Sequence, residues 1–210
     1  MPSAPFPPLC AAVLTALAVT RATGATPAAS TNHAARAERP ASWAVKIDKP
    51  GLPNFYRVST NLYRGAQPSK EGMAALKTMG IRTVVDLRAF HSDREKLGNT
   101  GLAYERFRVE PWRPEDADVV RFLKIATDTN SLPVFVHCEH GADRTGVMCA
   151  MYRIAVCGWT KEEAIREMTD GGFGFHSVWQ DLIHYVRHAD IERIKHDAGL
   201  GPHPPEAPRK

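Results

Sequence analysis

The sequence predicts an α/β fold with a central, mostly parallel sheet of about four or five strands flanked by helices. Three observations carry this prediction. Residues 81–87 (IRTVVDL) form a β-branched run, and residues 133–137 (PVFVH) form a second one. Apolar residues recur at helical spacing in the stretches between such runs. Strand and helix patterns alternate along the chain, which is the order of a layered α/β domain.

The elements follow in sequence. Residues 61–64 (NLYR) are a short strand that leads into Gly65-Ala66-Gln67-Pro68. Ser69 caps a helix with Met73, Leu76 and Met79 on its apolar face, and Gly80 stops it. The run 81–87 is a buried strand, and the alternation over residues 102–109 marks another. Pro114 opens a helix carrying Val119, Val120, Leu123 and Ile125. Residues 133–137 are a further core strand, and helices are expected over about 145–157, 160–169 and 178–194.

The chain has 210 residues, 43% hydrophobic and 24% charged. That composition excludes a largely disordered chain and a polytopic membrane protein. Lys and Arg exceed Asp and Glu by 27 − 23 = 4. An excess so small and scattered argues against a nucleic-acid partner. Four cysteines are too few for a disulfide scaffold. Residues 1–25 hold an apolar run, Ala11 to Val19, followed by small residues at Ala22–Ala25. This reads as a secretory signal peptide, too short for a comfortable membrane span, though no Lys or Arg precedes the run. A periplasmic or secreted location follows, with a cytoplasmic chain bearing an Ala/Pro-rich leader as the alternative; no stable membrane span remains after cleavage. Residues 26–44 read as a flexible linker, 45–195 as the folded domain and 196–210 as a Gly/Pro-rich disordered tail.

The strand over 133–137 runs directly into His137-Cys138-Glu139-His140-Gly141-Ala142-Asp143-Arg144-Thr145-Gly146 and then into a helix. A glycine-containing loop at a helix N-terminus can turn successive backbone N–H groups onto an anion. Cys138 sits at the base of that cradle, where positive potential favours the nucleophilic thiolate. The planar guanidinium of Arg144 can grip two phosphate oxygens as charge spreads in a transition state. Thr145 can donate its hydroxyl to the sulfur. Gly141 permits a backbone conformation that a Cβ would strain.

This Cys-x5-Arg pattern, VHCxxGxxRTG between a buried strand and a helix, resembles the cysteine-dependent protein tyrosine and dual-specificity phosphatases. The opening Tyr63-Arg64-Gly65-Ala66-Gln67-Pro68 and the segment WRPEDADVV are similar to the compact bacterial and atypical dual-specificity branch. The resemblance implies a protein tyrosine phosphatase-like fold over roughly residues 55–190. It implies attack by Cys138 on phosphorus, a phosphocysteine, its hydrolysis by water, and no metal or organic cofactor. Glu139, His140, Gly141, Ala142, Asp143 and Thr145 then line the phosphate site, and His137 orders the loop. The substrate is a phosphorylated protein or a small phosphomonoester, with inositol phosphates and phosphoinositides open beside phosphotyrosine.

The leaving oxygen needs a proton, which in the family comes from an Asp on an upstream loop. Here residues 110–118 (EPWRPEDAD) hold several carboxylates. Asp116 is favoured; Asp118 and Glu115 suit either acid chemistry or a helix first turn, and Asp143 in the loop itself remains open. Arg88, after Asp86-Leu87, either contacts substrate or pairs with a carboxylate. Trp112 either walls the pocket or packs in the core, and Gly171–His176 is either a mobile loop near the pocket or a plain interhelical turn. Cys149 and Cys157 read as core residues. Three rivals stand beside hydrolysis: a phosphate receptor without turnover, a sulfur-transfer enzyme, and, weakest, a metal site from His137, Cys138 and His140.

Overall fold

The computed structural model describes residues 39–201. The leader over 1–25, including Cys10, lies outside the described residues, as do most of the linker and the end of the tail. Among the described residues, six strands form one sheet in the order β1-β2-β3-β6-β4-β5. They are β1 (Val45–Lys46), β2 (Tyr56–Arg57), β3 (Leu62–Gly65), β4 (Thr83–Asp86), β5 (Ala103–Arg106) and β6 (Val134–His137). The pairs β3–β6, β6–β4 and β4–β5 are parallel, and β1–β2 and β2–β3 are antiparallel. The sheet is thus mostly parallel, as expected. Its extra strands are β1 and β2, each two residues long, too short for periodicity to reveal.

Among the described residues, seven helices cover the sheet: α1 (Lys70–Thr78), α2 (Arg94–Leu97), α3 (Asp116–Thr127), α4 (Asp143–Ala155), α5 (Lys161–Asp170), α6 (Gln180–His188) and α7 (Ile191–Asp197). The central strands alternate their side chains between two cores, as a period of two requires. Val85, Val134 and Val136 join Phe122, Leu123, Val147, Met151 and Leu182 under α3 to α7. Val84 and Phe135 point the other way, to Met73, Leu76 and Leu97 under α1 and α2. With helices on both faces, β4 and β6 are apolar on both faces, which is why they read as near-continuous hydrophobic runs.

Local chemistry sets the helix limits. The Ser69 hydroxyl accepts the Gly72 N–H at 3.1 Å to start α1, and Gly80, at φ +83°, turns the chain out of it. The helix expected over 178–194 is two. Ala189 is extended, and Asp190 caps α7 by accepting the Arg193 N–H at 3.1 Å. An Asp placed three residues before a second apolar turn is a start signal inside a helical pattern.

The domain boundaries differ from those expected. Ala44 is buried and donates its N–H to Glu167 Oε1 at 2.6 Å. Arg153 reaches the Ser42 carbonyl at 3.1 Å and grips both oxygens of Glu167, at 2.7 and 2.8 Å. The fold therefore begins before residue 45, on an ion pair shared by α4 and α5. At the other end, Ile194 and Ala198 are buried, so the folded part extends past 195. No helix among the described residues is long and apolar enough to cross a membrane.

Candidate active site

The site forms at the carboxyl ends of β3, β4 and β6, where ligands bind in open parallel sheets. The chain leaves β6 at His137, passes Cys138 to Ala142, and enters α4 at Asp143. α4 has no side-chain cap at its N-terminus, whereas α1, α5 and α7 are capped by Ser69, Thr160 and Asp190. Its first N–H groups and the positive end of its dipole are left for an anion.

The loop faces inward because its carbonyls are held outward. The Glu139 carbonyl accepts from the Gln67 N–H at 3.1 Å. The His140 carbonyl accepts from Asn54 Nδ2 at 2.8 Å, and the Gly141 carbonyl from Arg64 Nη2 at 2.7 Å. The N–H groups of Glu139 to Ala142 donate to nothing among the described residues, which leaves successive N–H groups available to an anion, as in a nest. Arg64 is almost wholly buried, stacked at 3.6 Å over the Phe173 ring. Gly141 has φ +71°, and a Cβ there would stand 2.5 Å from the Ala66 nitrogen. The loop therefore requires glycine for both conformation and space.

Cys138 is buried at the floor. Arg144 closes the ring, donating to the Leu87 carbonyl at 3.4 Å and lining the two cavities above the loop. Thr145 is fully buried, and its Oγ1 has no protein partner among the described residues.

Behind Cys138 lies a buried polar network. His137 stacks on Phe135 at 5.5 Å, with Nδ1 3.1 Å from the Cys138 carbonyl and Nε2 3.2 Å from Asp93 Oδ2. Both ring nitrogens face oxygen atoms of the protein. Gln67 Nε2 donates to Asp93 Oδ1 at 2.5 Å, and Tyr104 donates to Asp86 Oδ2 at 2.6 Å. Burial pushes the Asp93 carboxyl up, but the hydrogen bond and charge of His137, with Gln67 and Lys96, outweigh it and hold the group at about 2. Asp86, Asp93 and His137 are the one trio of metal-ligand residues clustered among the described residues. Asp86 also accepts the Arg88 N–H at 2.8 Å, and Asp93 stands within ion-pair distance of His137, so the trio forms a buried polar brace behind His137. The His137–Cys138–His140 metal arrangement does not form: His137 turns to Asp93, and His140 packs edge-on to His176 at 5.7 Å.

Arg88 bonds Gln67 and reaches Glu139 at 3.3 Å, so it braces the loop as well as lining a cavity of about 220 Å³ with His91, Pro111 and Arg144. A second cavity, of about 360 Å³, is lined by Pro111, Glu139, His140, Asp143, Arg144, His176, Val178 and Trp179. Gly171–His176 is neither a free loop nor a plain turn. Phe173 is buried against Tyr56, the Gly172 carbonyl accepts from Tyr56, and Asp143 holds His176.

Asp116, the expected acid, lines neither cavity over the loop. It opens α3 on the side where α6 and α7 pack. There it accepts from Tyr185 at 2.8 Å and pairs with Arg193. It lines a separate groove with Val120, Arg121, Lys124 and Asp197. Both oxygens serve helix docking, and burial with Asp116's charge pushes the Tyr185 hydroxyl far up. Glu115 is exposed and pairs with Arg113 at 3.3 Å. Burial, then the charge of Glu115, raises Asp118. Pro111 is the single residue of 110–118 that lines a cavity over the loop. Trp112 is 52% exposed, in a third groove with Asp181 and His184, neither core nor loop pocket. Cys149 is core, its thiol pushed up by burial to about 11. Cys157 is exposed beyond the end of α4, not in the core.

Sequence reasoning missed Asn54 and Asp93, and it named Arg64 and Gln67 only within the Tyr63–Pro68 opening and His176 only within Gly171–His176, without the contacts they make. Those contacts join segments far apart in the chain, and no local pattern marks them.

Comparison with known proteins agrees with this geometry. Residues 53–181 match the family model described as DSP-PTPase phosphatase fused to NAD+ kinase. The chain is 38% identical over 166 residues to the dual specificity protein phosphatase TpbA of Pseudomonas aeruginosa (strain UCBPP-PA14), covering 78% of this chain and 75% of that protein. A crystal structure of P. aeruginosa TpbA in complex with pTyr superposes with TM-score 0.69 at 36% identity, covering 78% of this chain and 99% of that one. The Siw14 catalytic core shares the fold at 21% identity and TM-score 0.61, over 72% of this chain and 95% of that one. The chain belongs to the cysteine-dependent dual-specificity phosphatase family and is a protein tyrosine phosphatase-like hydrolase.

Proposed function

We propose that the enzyme cleaves phosphate monoesters, phosphotyrosine in proteins first among them, through a phosphocysteine on Cys138. The observation that carries this reading is the loop itself. A cysteine lies on the floor of an uncapped helix N-terminus, the carbonyls above it are tied outward, and Arg144 stands at the rim. The phosphoryl oxygens sit in the N–H nest with Arg144 bridging two of them. Cys138 attacks in line, and the nest and guanidinium hold the charge that spreads over the equatorial oxygens. The buried pair His137–Asp93 steadies the loop behind the sulfur. Water then attacks the phosphocysteine, and Thr145 donates to the departing thiolate.

The pTyr complex of TpbA supports phosphotyrosine as substrate. The relative named inositol diphosphatase DSP5 of Arabidopsis thaliana, 26% identical over 154 residues, supports a second reading in which an inositol phosphate uses the same loop. Arg88 and His91 beside Arg144 offer charge for another phosphate. Export is part of the same proposal; its mark is a mature chain starting near residue 26 in the periplasm or medium.

The test is turnover of a phosphotyrosine peptide, a phosphoserine peptide and inositol phosphates in EDTA, beside Cys138→Ser and Arg144→Lys. Metal-independent hydrolysis, inhibition by vanadate and loss in both variants are expected. Full activity in Cys138→Ser, or turnover only with added metal, would overturn the mechanism. Preference for inositol phosphates by tenfold or more in kcat/KM would install the second reading.

A further inference from the structure

An unactivated phosphate ester needs a proton on its leaving oxygen as the P–O bond breaks, and positioned donors contribute about 10²- to 10⁴-fold. The upstream carboxylates do not stand where this proton is needed. Asp116 docks α3 to α6 and α7, and Glu110, Glu115 and Asp118 line neither cavity over the loop. The acidic or titratable groups that do line the larger one are Glu139, His140, Asp143 and His176.

We propose that His176, oriented by Asp143, is the proton donor to the leaving group, a proposal that rests on the phosphatase reading above. Asp143 opens α4, directly before Arg144. Its Oδ1 accepts the His176 backbone N–H at 2.9 Å, and its Oδ2 lies 2.8 Å from His176 Nδ1. With Nδ1–H donated to a carboxylate, the proton that moves is the one on Nε2. Nε2 has no partner among the described residues, the side chain is half exposed, and it lines the cavity beside Arg144. The same arrangement, a carboxylate fixing the tautomer and angle of an imidazole, recurs wherever histidine moves protons.

The competing groups are engaged elsewhere or less well held. Both oxygens of Asp143 are taken by His176, and Glu139 faces the Arg88 guanidinium at 3.3 Å. His140 is the group nearest His176, edge-on at 5.7 Å, and no carboxylate holds its ring. The charged groups that face His176 are Asp143 and Arg144 from α4, and His140 and Glu139 from the loop; Pro111, Val178 and Trp179 complete its surroundings without charge. The backbone is shaped for this placement. Gly172 and Gly174, at φ +78° and +79°, bend the segment between α5 and α6, and Phe173 anchors it under Arg64.

The step balances. Cys138 Sγ bonds to phosphorus, the P–O bond breaks, and its electron pair goes to the leaving oxygen, which takes the proton from His176 Nε2. The neutral ring then accepts a proton from the water that attacks the phosphocysteine. The S–P electron pair returns to Sγ as thiolate, and inorganic phosphate departs.

The test uses the full chain and aryl phosphates with leaving phenols from p-nitrophenol to tyrosine. For wild type, kcat should vary little across the series. His176→Gln should lower kcat about 100-fold or more on phosphotyrosine but under about fivefold on p-nitrophenyl phosphate, whose leaving group needs no proton. It should also remove the basic limb of the kcat–pH profile. Asp143→Asn should act in the same direction with a smaller loss, its basic limb moved to lower pH. Retained p-nitrophenyl phosphate turnover shows that each variant is folded. Equal losses on both esters in His176→Gln, or the leaving-group signature appearing instead in Glu110→Gln or His140→Gln, would overturn the assignment. A wild-type chain inactive on every ester would overturn both it and the phosphatase reading.

Discussion

Replacing Asp93 by Asn should separate the charge of the brace behind His137 from its shape. The carboxylate has no exposed surface. It meets His137 Nε2 at 3.2 Å and accepts from Gln67 at 2.5 Å, and its carboxyl is held down from 3.8 to about 2. At about 1.4 kcal/mol per pH unit, that displacement corresponds to about 2 kcal/mol of folding stability. A depressed carboxyl contributes fully above its unfolded value and loses the contribution as pH falls to its folded value. The wild-type advantage over Asp93→Asn should therefore be about 2 kcal/mol at pH 6–7, shrink below about pH 4, and vanish near pH 2. Urea denaturation at stepped pH reads it directly, and Tm at pH 7 should fall by about 4–8 °C. A difference that stays constant from pH 7 to pH 2.5, or that is absent at pH 7, would refute the argument that the paired charge carries the stability.

Three further outcomes are expected. Gly141→Ala must relieve both a left-handed backbone and a Cβ 2.5 Å from the Ala66 nitrogen; turnover should fall by about 100-fold as the nest shifts, and unchanged kcat would show that the loop tolerates the displacement. Glu167→Gln leaves the buried Arg153 guanidinium without its bidentate partner and should cost about 3 kcal/mol or more in chemical denaturation; a loss under about 1 kcal/mol would mean that Ser42 and solvent replace it. Asp116→Asn should leave leaving-group dependence at the wild-type value and cost up to about 1 kcal/mol of stability. A selective loss on phosphotyrosine would return Asp116 to the chemistry.

Much of the fold could be read from local pattern. The runs around Val84-Val85 and Val134–His137 are doubly buried strands, and a strand covered on both faces has little choice of composition. Ser69 and Gly80 bound α1 because capping is decided within one turn. Legibility ended where an element was short or a signal lay inside another pattern. The strands β1 and β2 form only because the chain folds back on β3. The Asp190 cap was hidden within an apolar periodicity that spans α6 and α7.

Cys138 and its cradle are written in one stretch of chain. Cys138, Gly141 and Arg144 are close in sequence, and a strand, a glycine loop and a helix N-terminus leave their arrangement little freedom. What surrounds them depends on how distant segments pack. Asp116 looked like an acid because it lies a plausible number of residues before Cys138, yet that spacing says nothing about which side of α3 it faces. The packing of Tyr185 and Arg193 settled that. Asp93, Arg64 and His176 lie 45, 74 and 38 residues from Cys138. They meet the loop only after the sheet has closed around it. Local geometry is written in neighbouring residues, but the protonation and reach of a site depend on distant side chains sharing one low-dielectric space.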